Sequence, residues 1–178
     1  MEISQPISAE DVDVTPIFGQ LDEETQERVL EELRRAEATL AALRDELGLE
    51  GDPLTVERYP SGQAEVAANL KGADGKLTFE AGLRPRNFFS ETPWQPGYAP
   101  RPMMTDAWDV DGNVRVMVRR LVGRHKYTIQ ETPEEIEEQR YDSPAEAAAA
   151  LAAVAERLAE LARSREATVE AWASPEPG

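Results

Sequence analysis

The spacing of the apolar residues changes twice along this chain, and that change constrains the fold more than any other feature. Near the N-terminus Val29, Leu33, Ala36, Leu40, Leu43 and Leu47 recur at alternating intervals of four and three residues. Near the C-terminus Ala147, Leu151, Val154, Leu158 and Leu161 do the same. Between them the interval drops to two: Ala64, Val66, Ala68 and Leu70, then Leu77, Phe79, Ala81 and Leu83, then Val114, Val116 and Val118. A 3–4 spacing lines one face of a helix, and a spacing of two lines one face of a strand. The chain therefore predicts a helix, a run of antiparallel strands, and a second helix.

End signals sharpen this reading. Asp22 offers an N-cap with Glu23 and Glu24 in the first turn, and Gly48 a C-cap, so the first helix spans 22–47. Ser143, Pro144 and Glu146 open the last helix as N-cap, N1 and N3, and it runs to about Ser164. Strands are expected over 54–59, 63–70 and 76–83, with turns at Pro60–Gly62 and Gly72–Gly75. A further strand leads to Asp111-Gly112, a strong hairpin signal, and returns over 113–120. The next strand, 124–131, places His125, Tyr127 and Ile129 on the face expected to be buried. Residues 134–141 fit an edge strand better than a short helix opened by Pro133. Residues 84–104 break the alternation with five prolines and with Phe88, Phe89, Trp94 and Tyr98. A loop of that length is usually functional or disordered, and its aromatics argue against disorder.

These elements predict an α+β two-layer sandwich: an antiparallel sheet of five to six strands with the N-terminal and C-terminal helices packed on one face. The expected organisation is an extended N-terminal arm over 1–20, a single domain over 21–172 and a flexible tail over 173–178. The alternative is that the heptad seams zip with each other or with a second copy, giving a homodimer through the helix seams. Leu33, Leu40, Leu43, Leu151, Leu158 and Leu161 are expected in one core with Val66, Phe79, Val116 and Ile129.

Charge is distributed unevenly. The 178 residues hold 19 Lys+Arg and 35 Asp+Glu, a net charge of −16. Residues 1–52 are net −11 and residues 127–178 net −8, whereas residues 84–126 hold eight basic and four acidic residues, net +4. A net anion is repelled by nucleic acid and by anionic membrane, so neither is an expected partner. No apolar run approaches the roughly 20 residues of a membrane span. Met1 to Asp13 lacks the basic and apolar regions of a signal peptide. The cationic strip suggests a binding surface for another protein, made of Arg84, Arg86, Trp94, Tyr98, Arg101, Arg115, Arg119 and Arg124. Arginine forks beside aromatics match the composition of interface hot spots. The competing reading is a solvated sheet face whose cations are balanced by acids across the strands.

Most chemistries are excluded or unsupported. With no cysteine and one histidine, thiolate catalysis, disulfides, Cys-ligated zinc and multi-His metal sites are out, and no cofactor or metal is expected. His125 sits in an alternating strand with no Gly-x-Ser-x-Gly elbow anywhere, so it reads as a core residue rather than a catalytic one. Asp109-Val-Asp111-Gly112 lacks the remaining ligands of a calcium loop and reads as a hairpin turn. Glu134-Glu135-Ile136-Glu137-Glu138 reads as a solvated charge run.

Among the basic residues only Lys71, Lys76 and Lys126 are lysine, and alanine is abundant, as in proteins from GC-rich bacterial genomes; a halophile is the other reading. The expected function is therefore a non-enzymatic, cytoplasmic bacterial protein-binding module of accessory, chaperone-like or immunity-like kind. The alternative is a small-ligand-binding protein or enzyme with an apolar pocket beneath the 84–104 loop.

Overall fold

A computed structural model describes residues 3–60, 62–86 and 106–175. The elements run β1 (Ile3–Pro6), α1 (Thr15–Phe18), α2 (Glu23–Leu47), β2 (Thr55–Arg58), β3 (Ala64–Gly72), β4 (Leu77–Pro85), β5 (Trp108–Val122), β6 (His125–Tyr141), α3 (Pro144–Arg163) and α4 (Val169–Trp172). The six strands form one antiparallel sheet in sequence order, and the helices make it an α+β two-layer sandwich. α3 lies against β4, β5 and β6, and α2 packs alongside α3.

Local chemistry fixes the helix ends. The Thr25 backbone N–H donates to Asp22 Oδ1 at 2.7 Å, and Gly48 takes a left-handed conformation at φ 66° to end α2. Ser143 Oγ accepts from the Glu146 N–H, with Pro144 at N1 where it loses no helical bond. Val29, Leu33, Ala36, Leu40 and Leu43 are all buried in α2, so that seam is occupied within the chain. α3 presents alanines between its leucines, and Ala148, Ala152, Ala155, Ala159 and Ala162 are buried with Leu151 and Leu158. Small side chains let α2 and the sheet approach α3 closely from two sides. Leu161, expected in the core, is half-buried, and Ala162 takes the interior position beside it.

Val66, Phe79 and Val116 are fully buried on the sheet face under the helices. The N-terminal segment expected as an arm supplies the edge strand β1 and the single turn α1, and its Ile7, Val14, Ile17 and Phe18 are buried. Trp108 Nε1 donates to the Ile17 carbonyl at 2.8 Å, tying that segment to β5. Residues 134–141 are strand, continuous with β6.

Two expectations need correction. Asp111-Gly112 is not a hairpin: β5 runs through it without a break, with a register irregularity between Val110 and Gly112. Glycine is needed there for proximity, because a Cβ on Gly112 would lie 2.7 Å from Val154 Cγ1 of α3. The turn comes later, at Gly123 and Arg124. His125 and Tyr127, expected on a buried face, are exposed, and Ile129 is half-buried. The reason is strand length: β4 begins at Leu77, opposite Val116, so among the described residues β5 and β6 continue past it without a third strand.

Candidate functional site

Strand length therefore creates the most distinctive surface of the molecule. Beyond Met117 the only ladder among the described residues is β5 with β6, from Met117 opposite Gln130 to Val122 opposite His125. This two-stranded ribbon, residues 117–130, contains Arg119, Arg120, Arg124 and Lys126 and not one of the 35 acidic residues. It is also the main site of exposed large apolar side chains: Leu121 is 59% exposed, Val122 53% and Tyr127 52%. Its base is buttressed. Arg120 pairs with Glu131 at 2.9 Å and donates to the Ser174 carbonyl, whose residue N–H returns a bond to Glu131 at 3.2 Å. Arg119 donates to the Thr128 hydroxyl across the ladder at 3.3 Å. Among the described residues no carboxylate pairs with Arg119, Arg124 or Lys126.

The rest of the expected strip behaves differently. Arg84 forks onto Asp111 at 3.0 and 3.2 Å and reaches Glu65 at 3.4 Å and Glu138 at 3.6 Å. Burial works against its charged form, but the bonds to Asp111 and Glu65 outweigh it and hold its pKa above the ordinary arginine value. Arg115 pairs with Glu80 across the sheet. These two arginines fit cross-strand charge balance. Arg86 is exposed. Trp94, Tyr98 and Arg101, with most of the 84–104 loop, lie outside the described residues. The structure thus separates the expected site: Arg84 and Arg115 are engaged on the sheet, while Arg119 and Arg124 project on the ribbon. Sequence reading overlooked Leu121 and Val122 and placed Tyr127 on a buried face. The absence of any acid from 117–130 in so acidic a chain was the signal that could have found the ribbon.

Beside Arg84, the Tyr59 hydroxyl lies 2.8 Å from Glu57 and 2.7 Å from Glu65. Burial and those two carboxylates push its pKa well above the usual phenol value, so the ring stays neutral. His125 stands exposed at the ribbon's tip with its ring 6.3 Å from that of Tyr127. Among the described residues no cluster of three or more His, Asp or Glu side chains could hold a metal, and no helix is long and apolar enough to cross a membrane. A cleft of about 340 Å³ lies between the 50–52 loop and β2–β3, lined by polar groups including Glu50, Asp52, Thr55, Glu57, Asn69 and Lys71.

No family model, no curated protein and no solved structure matches this chain.

Proposed function

We propose that the protein is a non-enzymatic, cytoplasmic bacterial protein-binding module whose recognition element is the β5–β6 ribbon. The observation that carries this reading is the joint exposure of Leu121, Val122 and Tyr127 among Arg119, Arg124 and Lys126, cations that no carboxylate of the described residues pairs. Water-exposed aliphatic side chains on a projecting element are costly to leave uncovered and mark interaction sites. The arginines add planar donors for carboxylates, so the fitting partner is an acidic protein with an apolar patch. The anionic body disfavours nucleic acid and anionic membrane as occupants. An accessory, chaperone-like or immunity-like role follows from binding without chemistry. The apolar pocket of the ligand-binding alternative falls under a loop that lies mostly outside the described residues, and the cleft at Glu50 is lined by polar and apolar surface in equal measure.

Affinity capture from the producing cells tests the reading. The wild type should retain one partner at defined stoichiometry. A Leu121→Ser, Val122→Ser, Arg124→Glu variant should bind it at least about tenfold more weakly, equivalent to about 1.4 kcal/mol. Equal retention by the variant, or capture of nucleic acid in place of protein, would overturn it.

A further inference from the structure

β6 is an edge strand, paired with β5 on one side only among the described residues. Natural edge strands carry devices against pairing with another chain: charges, proline and bulges. β6 carries proline, the irregularity and a run of carboxylates on one half only, and the other half has the single charge of Lys126. From Glu131 onward it has Glu131, Pro133, Glu134, Glu135, Glu137 and Glu138, with the irregularity opposite Val114–Val116. From His125 to Gln130 it has no acid, no proline and no break in register. That half is also where β4 no longer flanks the ladder, and a two-stranded ribbon is marginal by itself.

We infer that residues 125–131 of β6 pair antiparallel with the same residues of a second copy, about a two-fold axis at Thr128. An isologous interface sets each position against its symmetry mate, so the axis must pass through a self-opposed residue. At Thr128 the axis sets Tyr127 opposite Ile129 of the other copy, an aromatic–aliphatic cross-strand pair formed twice. It sets His125 opposite Glu131 and Lys126 opposite Gln130. The basic end of each β6 then meets the other strand where its acidic half begins, with Glu131 facing His125 and Glu134 one diagonal step from Arg124, and this supplies the charge complementarity. The result is a four-stranded β5–β6–β6–β5 sheet joining two protomers. This inference shares Tyr127 and Lys126 with the partner-binding reading but does not rest on it, since it uses the backbone edge of β6 rather than the tip of the ribbon at Leu121, Val122 and Arg124.

The chain has no cysteine, so cysteine pairing gives a clean test. Opposed Cα atoms in an antiparallel ladder lie about 4.5–5.5 Å apart, within disulfide range. The full-length wild type should sediment as a dimer at micromolar concentration. Thr128→Cys should form a disulfide-linked dimer under mild oxidation, much faster than an Arg119→Cys control. Lys126→Cys and Gln130→Cys should cross-link when mixed and not separately. Circular dichroism and melting of the reduced variants establish that each is folded. A wild type that is monomeric at all concentrations, with Thr128→Cys no faster than Arg119→Cys, would overturn the inference. Self-linking of His125→Cys or Gln130→Cys in place of Thr128→Cys would overturn the axis. A monomer that retains a foreign partner would overturn the dimer and leave the proposed function standing; a dimer whose Leu121, Val122 and Arg124 variant binds that partner unchanged would do the reverse.

Discussion

Gly112 shows how a single residue can carry two meanings. Asp-Gly is a favoured turn pair, yet here the missing side chain makes room for Val154, with the Glu80 carbonyl 3.1 Å and Ile136 Cδ1 3.3 Å from where a Cβ would stand. Nothing within a few residues of Gly112 announces α3, so local reading cannot separate the two. Gly112→Ala should destabilise the protein by about 1–3 kcal/mol through overpacking, measured by urea titration, and a cost near zero would mean α3 can move aside. Asp22 makes a second residue-scale prediction. The side-chain hydrogen bond with Thr25, and then the Thr25 backbone N–H, hold its pKa below the ordinary aspartate value. A carboxyl depressed on folding adds stability that is complete above its unfolded pKa, about 4, and is lost as pH falls through the folded value. The cost of Asp22→Ala should thus be greatest at neutral pH and shrink as pH drops below about 4. A cost that does not change with pH would show that the charge of Asp22 contributes nothing.

At the scale of elements, the helices were readable because their signals are local: Asp22 and Ser143 cap them, and the leucine seams face the core. Leu40→Ala and Leu158→Ala should each cost about 2–5 kcal/mol in denaturant titrations, since both side chains are fully buried. Costs below about 1 kcal/mol at both sites would contradict the two-layer packing. Alternation in β5 and β6 was equally legible, but it reports that successive side chains face opposite ways, not what covers either face. Tyr127 and Ile129 alternate as a buried strand would, and they lie outside the core because β4 stops short of them. The candidate site was therefore only partly legible. The basic residues of the strip could be counted, whereas the pairing of Arg84 with Asp111 and of Arg115 with Glu80 depends on register.

For the molecule as a whole, charge separation is the dominant feature. A net charge of −16 includes a ribbon without acids, so the remaining surface repels itself strongly. Added sodium chloride should raise the melting temperature by screening that repulsion. A steady fall from low to moderate salt would show that pairs such as Arg163–Glu46 and Arg84–Asp111 outweigh it. Among the described residues the same separation brings unopposed cations and exposed apolar side chains together on the ribbon, the combination the proposed acidic partner needs. The most direct test is photo-cross-linking in the producing cells, with a photoreactive phenylalanine analogue at Leu121 and, as control, at Glu27 on the exposed face of α2. A discrete adduct with a second, different protein from position 121 and none from position 27 is the predicted result. No adduct from position 121, or the same adducts from both positions, would contradict recognition through the ribbon.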